Sequence, residues 1–197
     1  MRTSIYCALL GCVALPAWAT DVPRYEPAPS WIVPGPPIKE GTGLPLVAVL
    51  DQQTRVADGE VWSYRELGSR AVSADALARM GTITLNWQPF HGDLIVHRVD
   101  IVRDGKHIDV LKAGQKFNVI RREEGLEKLE MNGVLTATLQ VEGLRVGDVL
   151  DVAYSTTSKD PALKGAVQSA ELAIPEPFKV DFARARMVWP KSATIRW

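Results

Sequence analysis

The side chains with the widest chemical range in this chain are three histidines, His91, His97 and His107. A zinc site needs ligands at set spacings, such as two histidines one helical turn apart, and often a thiolate. The intervals between these histidines match no such pair. His91-Gly92-Asp93 follows Pro89 and reads as a turn. His97 shares a strand face with Ile95 and Val99, the position of a half-buried core histidine, and His107 follows a hairpin turn. No metal and no cofactor is expected from them. Serine chemistry has no signature either: no serine sits in a G-x-S-x-G elbow, and Ser63, Ser69 and Ser73 lie in strand or cap contexts. G-x-G-x-x-G and G-x-x-x-x-G-K-[ST] are both absent, so nucleotide binding has no support. A glycosidase needs two carboxylates about 5–10 Å apart. Glu60, Glu66, Asp93, Asp100, Glu123 and Glu124 supply candidates, but sequence selects no pair. A serine triad assembles only in the fold, so a hydrolase with an unrecognised site stays open.

Recognition is better represented than catalysis. Trp31, Trp62, Trp87, Trp189 and Trp197 are spread along the chain. Exposed aromatic rings make sugar platforms or protein hot spots, whereas buried ones fill a core. Trp62 and Trp87 read as core. Trp31, with Tyr25 nearby, is a candidate ligand or partner contact. Arg121 and Arg122 open a mixed-charge run with Glu123 and Glu124 and are a second candidate contact. The functions these suggest are partner binding and, as an alternative, carbohydrate binding in a cell envelope.

The elements that must position these groups are strands. Leu135, Ala137, Leu139 and Val141 alternate with Thr136, Thr138 and Gln140, the period of a strand with one buried face. Leu150, Val152 and Tyr154 repeat the pattern. Asp104-Gly105 and Asn132-Gly133 mark type I′ hairpin turns, and Asp58-Gly59 and Gly147-Asp148 mark further reversals. One helix is predicted over Ala74–Met80, with Ser73 as N-cap and Gly81 just past its end. About ten short strands with frequent turns predict an antiparallel β-sandwich over residues 46–197. Residues 20–45 hold Pro23, Pro27, Pro29, Pro34, Pro36, Pro37 and Pro45, and read as an extended leader. That leader is either anchored by Tyr25, Trp31 and Ile32 or left as a loose linker.

Residues 1–19 read as a cleavable export signal. Arg2 precedes an apolar run from Ile5 to Leu15, and Pro16 is followed by the small-x-small site Ala17-Trp18-Ala19. Leu9-Leu10-Gly11-Cys12 also resembles a lipobox, which would place a lipid on Cys12. Cleavage after Ala19 removes both cysteines, Cys7 and Cys12. The mature chain then has no disulfide and no thiol chemistry. It keeps 22 basic and 23 acidic side chains, without the basic surplus that nucleic acid or an anionic membrane favours. No later segment has the length or apolarity to span a bilayer. The expected location is periplasmic or extracellular. Ala185–Trp189 and Thr194–Trp197 both read as strands, the second cut short, so a longer protein is expected.

A family resemblance rests on ordered segments: Leu50-Asp51-Gln52-Gln53-Thr54-Arg55-Val56, Trp62-Ser63-Tyr64-Arg65-Glu66-Leu67, Leu85-Asn86-Trp87-Gln88-Pro89, Leu94 to Val99, Ile101 to Ile108, and Leu139 to Leu150. Together they resemble an uncharacterised N-terminal β-sandwich domain of bacterial exported transglutaminase-like proteins. The resemblance implies a non-catalytic accessory module whose partner is a downstream transglutaminase-like domain or an envelope protein. The Cys-His-Asp site of that catalytic domain would lie beyond residue 197, and no catalytic role transfers to any residue here.

Overall fold

The structure is a computed structural model, and it describes residues 20–121, 133–164, 166–167 and 179–194. Ten strands occur among them: β1 (Arg24–Tyr25), β2 (Val47–Ala57), β3 (Glu60–Arg70), β4 (Thr82–Trp87), β5 (Leu94–Arg103), β6 (Lys106–Asp109), β7 (Asn118–Arg121), β8 (Leu135–Gln140), β9 (Val149–Ser158) and β10 (Val180–Val188). One α-helix, α1 (Ala74–Met80), bridges β3 and β4. Ser73 caps it, its Oγ accepting from the Ala76 N–H at 3.1 Å. Gly81 ends it at φ −65°, an ordinary helical angle, so the helix stops without the left-handed turn that its glycine suggests.

The strands form two sheets. The larger runs β1-β5-β9-β3-β2-β10, with β6 paired to β5, and the smaller runs β4-β8-β7. An all-antiparallel sandwich is therefore not what forms. β1 lies parallel to β5 and β10 parallel to β2, at opposite ends of the larger sheet. Period-two alternation reports which face is buried and carries no information on strand direction. Both parallel strands reach their partners through long connections, which parallel pairing requires.

Short connections obey the turn chemistry. Asp58 and Gly59 both have positive φ, 55° and 72°, as do Asp104 and Gly105, 50° and 70°. These are the paired left-handed residues that let adjacent strands keep their twist. Gly133 shares this geometry at φ 63°, while Asn132 lies outside the described residues. Gly92 answers a different need. A Cβ there would lie 2.0 Å from the Thr157 carbonyl oxygen, so only glycine lets this turn close on β9.

One apolar core lies between the sheets. β4 contributes Ile83, Leu85 and Trp87, β8 contributes Leu135, Ala137 and Leu139, and β9 contributes Leu150 and Val152. From β5 come Leu94, Val96, Val99 and Ile101. This phase differs from the expected one, which put Ile95 with Val99. The register shifts between Val96 and Arg98, so the extra residue, His97, flips the strand's alternation. Trp87 is in the core as expected, 5% exposed, and Trp62 is half-buried with its Nε1 donating to Glu60 at 2.9 Å.

Candidate functional site

The larger sheet has two faces of opposite character, and each carries a candidate site. On the outer face, β2, β3, β5, β9 and β10 bring charged side chains side by side. Asp51 pairs with Glu66 in register, Glu66 with Ala153, and Arg98 with Ala153, so one transverse row crosses four strands. Arg184 extends the row through its pairing with Asp51.

The ion pairs within the row are tight. Arg98 donates from Nε to Asp151 Oδ2 at 2.8 Å and from Nη2 to Glu66 Oε1 at 2.8 Å. The Tyr64 hydroxyl donates to the other Glu66 oxygen at 2.6 Å. Arg184 grips both oxygens of Asp51, at 2.9 and 2.5 Å, and Gln53 Nε2 donates to Asp51 Oδ2 at 2.9 Å. Asp100 faces His107 Nδ1 at 3.0 Å. Asp51 and Asp151 are almost wholly buried. Burial pushes the Asp151 carboxyl up to about 6, against the pull of Arg98, because a buried charge loses its hydration. Burial likewise raises the Tyr64 phenol, and the adjacent Glu66 carboxylate raises it further. It also lowers His97, whose ring is held between the Glu26 carbonyl oxygen at 2.8 Å and Ser155 Oγ at 2.7 Å.

The proline-rich leader roofs this layer. Its prolines keep it extended, which leaves its carbonyl groups free to accept from outside. Val33 exchanges two hydrogen bonds with the Gln53 amide, at 3.0 and 2.8 Å, and its carbonyl also accepts from Arg184. The Trp31 carbonyl accepts from Arg186 at 3.2 Å, and the Lys39 carbonyl from Arg70 at 2.7 Å. At the leader's start, Arg24 donates to Asp93 at 2.8 Å beside the parallel β1–β5 pairing. A cleft of about 340 Å³ remains between the Pro29–Ile38 stretch and the floor of Tyr64, Glu66, Arg98 and Asp151.

Among the described residues the inner face is the reverse, apolar and open. The smaller sheet covers the β5–β9 side of it, and α1 flanks the rest. A groove of about 500 Å³ is left, floored by Leu50 of β2, Leu67 of β3 and Leu150 and Val152 of β9, and walled by Met80, Ile83 and Leu85. Leu67 is 43% exposed and Leu46, at the groove's end, 46%. Exposed leucines in a row are the mark of an interaction surface when they line a concavity. Arg65 and Arg79 stand on its margin, both exposed.

The residues selected from sequence are dispersed. Tyr25 is 42% exposed and its hydroxyl accepts from the Phe117 N–H at 3.1 Å. Trp31 is half-buried in the leader, at the β10 side. Arg121 is exposed at the end of β7, opposite Leu135, and Arg122 lies outside the described residues. No hydrogen bond or ion pair joins these positions among the described residues. Sequence reasoning missed the Asp51–Glu66–Arg98–Asp151–Arg184 layer and the Leu50–Leu67 groove. The signal for the layer was present: charged residues at the supposedly solvent-facing positions of central strands. No group of three or more potential metal ligands converges among the described residues. None of the described helices is long and apolar enough to cross a membrane.

These features define a mainly β domain with a mixed larger sheet, a main core between the sheets, a smaller apolar cluster of Ala48, Val49, Val102 and Val149, and an apolar groove open among the described residues. Residues 57–197 match the model of a domain of unknown function with a solved structure, DUF3857, and the chain belongs to that family. No curated protein matches it in sequence. Among solved structures it is similar to a "putative protease" from Parabacteroides distasonis, with 19% identity and a TM-score of 0.46. The match covers 57% of this chain and 23% of that one. It is also similar to a family IIIa CBD from Clostridium cellulolyticum, at 9% identity and TM-score 0.33, covering 61% and 76%. Native yeast LTA4 hydrolase matches at 16% identity and TM-score 0.27, covering 55% and 14%. Likenesses this distant bear on no activity.

Proposed function

We propose that this chain is a non-catalytic accessory module of an exported protein, and that it holds a neighbouring polypeptide, a transglutaminase-like domain, against its open sheet face. One observation carries the reading: part of the larger sheet's inner face is an apolar groove with exposed leucines and no cover among the described residues. Membership of the DUF3857 family supports an accessory role. The charged layer is a poor candidate for catalysis because its groups are already committed to one another beneath the leader. The export reading comes from residues 1–19 and places the module in the periplasm or outside the cell.

The test is to read the coding sequence past Trp197 and titrate the chain calorimetrically with the polypeptide encoded there. The expected result is saturable binding that Leu67→Glu abolishes. A stop codon directly after Trp197, or binding that Leu67→Glu leaves unchanged, overturns the reading.

A further inference from the structure

The groove has a second property beyond its apolar floor. Its wall is an unfinished sheet. β4 is the terminal strand of the smaller sheet, paired on one side with β8 and on the other with nothing among the described residues. The ladder phase follows from one bond. The Val141 N–H donates to the Gly81 carbonyl at 2.8 Å, and Gly81 stands opposite Val141 in the β4–β8 register. Hydrogen-bonded pairs alternate with non-bonded pairs in an antiparallel ladder. Ile83, Leu85 and Trp87 therefore exchange bonds with β8, and the N–H and C=O groups of Thr82, Thr84 and Asn86 point the other way. Thr82 and Thr84 line the groove.

We infer that the groove accepts an extended strand, added to the free edge of β4, from the polypeptide proposed above to dock there; the inference rests on that reading. Main-chain bonds to Thr82, Thr84 and Asn86 supply register, and every second side chain of the incoming strand drops onto Leu50 and Leu67. The groove runs along Thr82–Leu85 of β4, and the free edge continues past it to Asn86. Charge narrows the occupant further. Arg65 of β3 and Arg79 of α1 line the groove with no carboxylate partner among the described residues, whereas Arg70, Arg98 and Arg184 of the larger sheet are each paired with a carboxylate. The strand that completes this site is apolar on its inward positions and acidic at an end. An open edge beside an apolar floor is an aggregation hazard unless a strand is meant to cover it.

The experiment uses the full chain and a blocked nine-residue peptide, valine alternating with threonine and glutamate at both ends. A control peptide carries lysine in place of each glutamate. Hydrogen exchange followed by NMR reads the Thr82, Thr84 and Asn86 amides. The expected result is at least tenfold slower exchange at those three amides with the glutamate peptide, and binding at least tenfold weaker with the lysine peptide. Thr84→Pro removes an outward N–H without touching the β8 ladder, and abolishes binding while the circular dichroism spectrum is kept. Leu67→Glu does the same from the floor, and stands if Thr84→Pro does not fold. Equal binding of the two peptides, or protection that spares β4, overturns strand addition. If the polypeptide encoded past Trp197 still binds in a Leu67→Glu-sensitive way, docking survives and only its strand form is lost.

Discussion

The two faces of the larger sheet invert the usual arrangement. The outer face is charged yet closed, because the leader lies across it. The inner face is apolar yet partly open, because the smaller sheet covers only one side. Charge that is paired and roofed contributes to folding, since each carboxylate there depends on its partner for the hydration it has lost. Apolar surface left in water contributes nothing to folding until something covers it. The difference suits the faces to different tasks under the proposed function: the strapped face holds the module together and the grooved face is the proposed partner surface.

The largest effect expected is on the strapped face. Arg184→Ala leaves the fully buried Asp51 carboxylate with only Gln53 for company, and a cost of about 3 kcal/mol is expected in urea denaturation. Gly92→Ala comes next. Its Cβ would collide with the Thr157 backbone, so the turn must shift, and a loss of about 2 kcal/mol is expected in the same measurement. Tyr64→Phe removes one bond to Glu66 and leaves Arg98 in place, for about 1 kcal/mol. Leu67→Glu, on the groove, changes stability by less than about 0.5 kcal/mol while removing partner binding. A strapped-face variant that binds its partner normally once folded, beside a grooved-face variant that folds normally but does not bind, sharpens the division. The opposite pattern breaks it.

The strapped face also carries a pH signature. Asp151 titrates near 6 in the fold, above its ordinary value of 3.8. The folded state therefore holds the proton more tightly. Asp151 contributes most below its unfolded value, and that contribution is lost as pH rises from about 4 through 6. Asp148 behaves oppositely. Burial alone would raise it, but Arg103 and the Arg145 N–H bring it below the ordinary range, so its contribution is lost as pH falls below about 4. In thermal unfolding, Asp151→Asn should remove the decline between pH 4 and 6 and leave the acid limb intact. A mutant profile parallel to the wild-type one contradicts the assignment.

What the sequence disclosed follows from what each pattern encodes. The Ala74–Met80 helix was legible because its cap and its length agree locally, although Gly81 ends it without the left-handed turn. The core-facing sides Leu135–Leu139 and Leu150–Val152 were legible because alternation picks out the apolar face, but burial of the opposite face of β9, Asp151 and Ala153, was not. The phase of β5 was not, since a single bulge at His97 reverses it and no residue type announces a bulge. The parallel placement of β1 and β10 was hidden for a related reason: strand direction depends on distant connections. The candidate contacts Tyr25, Trp31 and Arg121 were chosen for residue type, and the fold puts them on separate elements. The groove was invisible because Leu50 and Leu67 read like any core leucine. Among the described residues the second sheet is narrower and leaves them uncovered.

The most direct measurement of the division between faces is hydrogen exchange on the chain, with and without the proposed partner polypeptide. The expected result is protection gained at Thr82, Thr84 and Asn86 and along the Leu50 and Leu67 stretches, with the leader from Tyr25 to Gly35 unchanged. Protection gained on the leader, with β4 and the groove unaffected, would contradict it.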